Sequence, residues 1–416
     1  MKDDNRSAPE FLDFTNDRDA TLKLIDWFEI ARVRAARILI VGAGAIGNEA
    51  IKCAALLGIG HIYILDRDTI EMSNLSRSVL YRAGDKGALK APTAARAARE
   101  LNPHIETYAI VGDLRFDLSL GMLRRMDVVI SCLDSRAARF KLNRLCRRAG
   151  APMIDAGIGQ LNGQVQAFHP AEGPCYECAF SELDYNEVKV GCNDLASLYA
   201  SEGKIPTTPT IASLVAAVQV QEALKMLDAE RWRGRTLVGR EFIFNGTSGF
   251  AEITGAPARH DCPAHTTIDR ERIVELPQAT AARTTAAELL ALGRERLGPQ
   301  AFLSLNFDLA VEMRCRKCSA SEPALCPKLK LYREQVKCLR CDGPAELVVT
   351  SRLGIGREFE KEILDLPLAR LGVPPLDILQ ICGTDGTSVY LELTGDAAEL
   401  TPSISPRAKE QIECVN

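Results

Sequence analysis

Fourteen cysteines are spread along 416 residues, and their spacing sorts them by the chemistry they can do. Cys315 and Cys318 form one C-x-x-C pair, and Cys338 and Cys341 form a second after 19 intervening residues. Two pairs at this separation supply four thiolates to one tetrahedral cation, the pattern of a zinc ribbon. Cys326 lies between them as a further claimant of poorer spacing. Cys175 and Cys178, with Cys262 and His265 about eighty residues later, offer three thiolates and an imidazole. His260 competes with His265 for the last place. A shell filled by four protein ligands has no open position, so both groups read as structural. Cys192 stands outside any pair, in a polar loop before a short helical run. That setting depresses a thiol pKa and makes a nucleophile; a dispensable loop cysteine is the alternative. Cys53, Cys132 and Cys146 fall in apolar or helical stretches and read as small core residues.

A second set of residues suits anions. Gly42, Gly44 and Gly47 form a G-x-G-x-x-G turn between the apolar run 37–41 and a helix over about 48–57. A second apolar run, 61–65, ends in Asp66. Glycines at such a turn let the backbone approach a phosphate or ribose, and the helix N-terminus favours negative charge. Alone, this fingerprint suits a nicotinamide dehydrogenase. Asn74, Arg77 and Lys90 then arrive in a polar stretch that interrupts the strand–helix alternation. Hydride transfer does not need two cations from this loop. Transfer at phosphorus does, because negative charge builds on oxygens that fixed cations stabilise. Asp134 follows the apolar run 126–133, at the strand end where open parallel sheets bind ligands. It can hold Mg²⁺ on a nucleotide's phosphates, or simply cap the next helix.

These residues need a frame to hold them. Short apolar runs alternate with helical patterns through residue 227, giving a Rossmann-like α/β fold with a mainly parallel sheet. Residues 17–33 have helical spacing, with Leu22, Ile25 and Phe28 on successive turns. Strand-like runs at 236–244 and 250–254 flank the turn NGTS and close this unit.

On Gly42, Gly44, Gly47, Asp66, Ser73-Asn74-Leu75-Ser76-Arg77 and Lys90 the chain resembles the ThiF/MoeB-type adenylyltransferases, the superfamily that includes ubiquitin-activating enzymes. The resemblance spans roughly residues 25–267. It implies ATP-dependent adenylation of the C-terminal carboxylate of a small ubiquitin-like or sulfur-carrier protein ending in glycine. Asp66 would hold the ribose hydroxyls, Asn74, Arg77 and Lys90 the phosphates, and Asp134 the Mg²⁺. The resemblance also joins Cys175, Cys178, Cys262 and His265 into one zinc site, with His265 replacing a cysteine.

Activating enzymes of the ubiquitin type take the acyl group on a cysteine from the crossover region that holds Cys192, although CND is not their usual local sequence. The thioester would pass to a conjugating enzyme or acceptor. Some sulfur-carrier relatives have a cysteine here that adenylation does not require. A homodimer is implied as well, but the relatives' trans-acting arginine is matched by Thr21. Arg18 and Lys23 are the nearest substitutes, and a solvated helix face is the simpler reading. The chain carries no rhodanese-like domain after the adenylation unit, which tilts the expectation toward protein conjugation. A non-enzymatic scaffold is the reading from a third class.

The expected domains are a flexible N-terminus (1–16), a ThiF-type adenylation domain (17–268) with a crossover loop at about 179–209, and a connector (269–300). A zinc-ribbon module (301–352), a small β-rich module (353–400) and a tail (401–416) follow. The expected cofactors are ATP, Mg²⁺ and two Zn²⁺. Lysine and arginine total 51 against 55 acidic residues, so bulk charge does not call for nucleic acid. No stretch approaches 18 uninterrupted apolar residues and the charged opening is no signal peptide, so no membrane partner is expected. Cysteines in C-x-x-C pairs within a long chain suit metal binding under reducing, cytoplasmic conditions.

Overall fold

Strands covered on both faces must be apolar along their whole length, and the first lobe is built on that rule. The computed structural model describes residues 13–180, 207–331, 336–338 and 340–397. β1 (Arg37–Val41), β2 (His61–Leu65) and β4 (Val128–Ser131) are runs of buried isoleucine, leucine and valine. With β3 (Glu106–Ile110) and β5 (Met153–Ile158) they form parallel pairs in the order β3-β2-β1-β4-β5. β6 (Asn162–Phe168), β7 (Arg240–Asn245) and β8 (Phe250–Gly255) continue the sheet antiparallel.

Alternate residues of each strand enter opposite layers. Ile38, Ile40, Ile62 and Ile64 pack under α2 (Ala45–Leu56), α3 (Lys90–Leu101) and α6 (Pro209–Leu227). Leu39, Val41, Tyr63 and Leu65 pack under α4 (Leu120–Leu123) and α5 (Arg136–Ala149). Each such side chain contributes roughly 1.5–3 kcal/mol, so a one-residue slip in register would be costly. Among the described residues α6 alone is long and apolar enough to cross a membrane, by length and composition; half of that stretch is buried. It packs on α2, β4, β5 and β6.

The helix expected over residues 17–33 is broken. A 3₁₀ turn covers Leu22–Leu24, Ile25 is extended, and α1 runs only over Ile30–Ala35. Local polar groups compete with the helix here: the Asp17 carboxylate accepts from the Asp19 amide at 2.9 Å, and Asp19 pairs with Arg34 at 2.5 Å.

The second lobe is an antiparallel sheet. β10 (Phe302–Cys315), β11 (Ser321–Pro327), β12 (Ala345–Leu353), β13 (Ile378–Cys382) and β14 (Ser388–Glu392) form its body. β9 (Ile273–Glu275) adds to β14 in parallel, and α7 (Ala286–Leu297) covers one face. Residues 269–300, expected as a connector, thus supply a strand and a helix. Ala286, Leu289, Leu290 and Gly293 make the buried stripe that holds α7 down. Residues 301–352 and 353–400, expected as separate modules, share this sheet through the β10–β13 pairing.

The lobes meet at α4 and α5. Leu376, Ile378 and Ala397 enter the first lobe's second core layer. The Leu120 amide donates to Asp377 Oδ1 at 3.0 Å, and the fully buried Glu392 carboxylate pairs with Arg124 and Arg125.

Candidate functional site

The order β3-β2-β1-β4 reverses direction at β1, and a sheet leaves a crevice at such a switch point, beyond the strand C-termini. A cavity of about 510 Å³ lies there. Gly42, Gly44, Asp66, Asn74, Arg77, Lys90 and Asp134 all line it, so the structure gathers residues spread over ninety positions of sequence.

Local packing explains the glycine turn. Gly42 has φ +96°, and a Cβ there would lie 2.6 Å from the Cys132 carbonyl oxygen. A Cβ on Gly47 would lie 1.9 Å from the Gly42 carbonyl oxygen. Gly47 therefore sits behind the turn, letting α2 approach it, and does not line the cavity. Asn48 locks the turn from inside. Its Nδ2 donates to Ala43 O at 2.7 Å, and its Oδ1 accepts from the Leu80 amide at 2.9 Å. The Tyr81 hydroxyl donates to Ala43 O at 2.7 Å.

Asp66 crosses from β2 to this turn. Its Oδ2 accepts from the Ala43 amide at 2.7 Å and its Oδ1 from the Asp68 amide at 2.8 Å. Burial pushes its carboxyl above the ordinary carboxylate range, against the pull of Lys90 and the two amides. Lys90 opens α3, and its Nζ pairs with Asp68 at 2.9 Å. Asn74 Oδ1 accepts from the Glu71 amide at 3.0 Å, and Arg77 Nη1 donates to Ser73 O at 2.9 Å. These bonds fold the loop into the cavity rim.

Asp134 is not the helix cap. Ser135 is the N-cap of α5, its Oγ accepting from the Ala138 amide at 3.1 Å, and the Asp134 side chain is exposed at the cavity. Sequence reasoning missed three lining arginines. Arg139 donates through Nη2 to both Leu133 O and Ala156 O at 2.8 Å, tying the ends of β4 and β5 together. Arg67 reaches Asp113 at 2.7 Å and Arg115 chelates the same carboxylate. Burial raises the Asp113 carboxyl, but the hydrogen bonds and charge of Arg115, with Arg67, outweigh it and hold it low. Arg67 directly follows Asp66, and that adjacency was the available signal. Arg115 and Arg139 carried none.

The lining holds five cations (Arg67, Arg77, Lys90, Arg115, Arg139) and five carboxylates (Asp66, Asp68, Glu71, Asp113, Asp134). Its formal charge is balanced. A polyanion entering it needs a cation of its own.

Two side-chain clusters can hold a metal. In the first, Cys175 Sγ lies 3.7 Å from Cys262 and 3.8 Å from Cys178, and Cys178 Sγ lies 3.2 Å from His265 Nε2. In the second, Cys315 lies 3.5 Å from Cys341 and Cys318 lies 3.6 Å from Cys338. Thiolates bound at ~2.3 Å around a tetrahedral zinc stand about 3.8 Å apart, so both donor sets fit that ion. His260 and Cys326 belong to neither cluster. The first knuckle is anchored by Glu177, fully buried and gripped by Arg144 at 2.7 Å and Asn143 at 3.1 Å. Cys192 lies outside the described residues.

Residues 16–264 match the ThiF family. The chain is 32% identical over 234 residues to the SAMP-activating enzyme E1 of Haloferax volcanii, covering 56% of this chain and 81% of that protein. It is also 32% identical over 232 residues to the adenylyltransferase and sulfurtransferase MOCS3 of Mus musculus, covering 56% of this chain and 48% of that protein. The chain thus spans about half the length of the MOCS3 relatives it matches. Among solved structures, E. coli MccB crystallised with ATP superposes with a TM-score of 0.51 at 22% identity. That match covers 62% of this chain and 77% of that one, and it is a likeness of fold.

Proposed function

The chain belongs to the ThiF family, and from that membership we propose that its first lobe is an ATP-dependent adenylyltransferase acting on the C-terminal carboxylate of a small ubiquitin-like or sulfur-carrier protein. The observation that carries this reading is the convergence of Asp66, Asn74, Arg77, Lys90 and Asp134 on one cavity at the switch point of the sheet.

In this reading a carboxylate oxygen of the carrier attacks the α-phosphorus of ATP. The bond from α-phosphorus to its bridging oxygen breaks, pyrophosphate leaves with that electron pair, and an acyl-adenylate remains. Asp66, already hydrogen-bonded to the glycine turn through the Ala43 amide, accepts from the ribose hydroxyls. Asn74, Arg77 and Lys90 donate to phosphate oxygens as charge develops on them. Asp134 would hold Mg²⁺, which supplies the positive charge that the balanced lining lacks. The two cysteine clusters would hold zinc with no open position, so they take no part in the chemistry.

Two continuations differ after adenylation. In the first, Cys192 attacks the mixed anhydride, AMP leaves, and the thioester passes to a conjugating enzyme or acceptor. In the second, the acyl-adenylate goes to a sulfur donor without an enzyme thioester. The name of the Haloferax relative favours the first and that of the MOCS3 relatives the second. Free thiolates suit the reducing cytoplasm, where we place the protein, working as a homodimer. The test is ATP–pyrophosphate exchange with a candidate carrier, followed by a search for a thiol-sensitive adduct. Exchange that persists undiminished in Arg77→Ala and Lys90→Ala overturns the adenylation reading. An adduct absent from Cys192→Ala supports the first continuation, and full carrier activation without any adduct supports the second.

A further inference from the structure

We propose that the cavity between the two lobes binds a small organic anion, a carboxylate or a phosphate ester, with Arg148 as its charge partner. The cavity measures about 320 Å³ and shares no lining residue with the nucleotide site. That volume is at the low end of the ~300–1,000 Å³ typical of ligand pockets, so the ligand is small. Both lobes build it. α5 gives Arg148 and the segment after His265 gives Thr266 and Thr267, while the second sheet supplies Ser304, Gln380 and Tyr390.

The register of that sheet is what makes this a site. Ser304 pairs with Gln380, and Gln380 with Tyr390, across β10, β13 and β14. Directly opposed residues of neighbouring strands project from the same face, so these three polar side chains stand in one row. Ile381, Leu391 and Leu303, their neighbours on the other face, are buried core. A row with a hydroxyl, an amide and a phenol offers hydrogen bonds that no described residue uses. Among the described residues, the side chains of Ser304, Gln380, Thr266 and Thr267 make no hydrogen bond, and the Tyr390 ring, packed on the first lobe's core and under Arg272, leaves its hydroxyl without a hydrogen bond.

The charge follows from how neighbouring groups are spent. Arg148 Nη1 donates to Asn306 Oδ1 at 2.9 Å. Asn306 Nδ2 in turn donates to Asp377 Oδ2 at 2.9 Å and Ile378 O at 3.0 Å. The other Asp377 oxygen accepts from the Leu120 amide at 3.0 Å. The buried carboxylates nearest the row are thus taken up, Asp377 by an amide side chain and a backbone amide and Glu392 by Arg124 and Arg125. Arg148 makes no direct ion pair among the described residues; it feels the Asp377 charge only across Asn306, and its side chain lines the cavity. A half-buried guanidinium held in place by an asparagine, with donors and acceptors arrayed opposite, suits an oxyanion with a polar body. Because both lobes contribute, the bound anion also clamps them together.

The test uses the full chain, titrated with inorganic phosphate and separately with succinate at constant ionic strength, with sodium chloride as the control. Calorimetry gives affinity and thermal unfolding gives the shift. The expected result is saturable binding of at least one probe, weakened at least about tenfold in Arg148→Gln and by about threefold in Tyr390→Phe. It should be unchanged in Lys90→Ala, which perturbs the nucleotide cavity instead. Saturation by phosphate alone assigns a phosphate ligand, and saturation by succinate alone assigns a carboxylate. Binding lost in Lys90→Ala but kept in Arg148→Gln overturns the proposal, as does a response no larger than that to chloride. Should Arg148→Gln fail to fold, Tyr390→Phe and Gln380→Ala decide: affinity unchanged in both overturns it.

Discussion

The two lobes each carry a four-ligand cluster built on cysteines, yet they place it differently. In the first lobe Cys175, Cys178 and Cys262 are 2, 3 and 5% exposed and draw together ligands 87 residues apart. Burial pushes the Cys175 thiol up to about 12. In the second lobe the ligands come from two tight turns at the outer end of β10 and β12; Cys315 and Cys338 are buried, Cys341 is half-buried and Cys318 is exposed. There the amides of Cys318 and Lys317 donate to the Cys315 sulfur at 3.3 Å and help bring that thiol down to about 6. The first cluster is part of a core; the second is a clip on the end of a sheet. The same four-ligand chemistry is therefore worth different amounts of fold.

Replacing one ligand in each lobe tests that contrast most severely. Cys178→Ser should release the first metal and cost several kcal/mol, because structural zinc contributes on the order of 10 kcal/mol where folding depends on it. At roughly 2–4 °C per kcal/mol for a domain of this size, the melting temperature falls by about 10 °C or more and nucleotide binding goes with it. Metal analysis and calorimetry check this. If Cys178→Ser keeps its melting temperature, the first cluster is peripheral too and the contrast fails.

A second measurement separates chemistry from fold within the first lobe. Lys90→Ala should lower ATP–pyrophosphate exchange by about 10²–10³-fold and shift thermal unfolding little, since Lys90 is half-buried but its partner Asp68 is exposed, and a pair open to solvent on one side is worth about 1 kcal/mol. Next in size is Cys318→Ser, expected to release the second metal, loosen the ends of β10 and β12, and leave the exchange rate within about twofold. Loss of exchange in that variant would mean the second lobe supports the nucleotide site directly.

The smallest effect is a titration. Burial raises the Asp66 carboxyl and Lys90 opposes that rise, so Lys90→Met should raise it further, read by carboxyl ¹³C NMR. The sign for binding follows. The ribose needs the ionised carboxylate, so nucleotide affinity is lost as pH falls through the raised value, sooner than for an ordinary aspartate. Nucleoside affinity that stays flat down to the usual carboxylate range would remove Asp66 from the ribose site.

Much of the nucleotide cavity was legible because its parts are local. The glycine turn, Asp66, and the loop bearing Asn74, Arg77 and Lys90 lie within fifty residues, and each follows from a short strand, a sharp turn or a helix start. Arg115 and Arg139 were illegible because nothing near them in sequence marks them. Arg115 follows β3 and Arg139 lies in the first turn of α5 after β4, and they reach the cavity only because those strands lie beside β2 and β1. The helix expected at 17–33 failed where aspartates captured backbone amides. The connector at 269–300 was misjudged because the stripe on α7 finds its sheet in β10, β13 and β14, strands that come later in the chain.

By itself the sequence determined which groups exist and which of them are neighbours along a strand or turn: the thiol pairs, the glycine spacing, the cations after Asp66. Tertiary structure alone decided that Ser135 and not Asp134 caps α5 and that a polar row on the second sheet faces Arg148; it also brings Cys175 and Cys178 to Cys262 and His265, a meeting the family resemblance implied and spacing alone did not. The physical reason is range. Periodicity and turn chemistry act over a few residues, whereas strand order and lobe packing are set by burying apolar faces that no single segment contains.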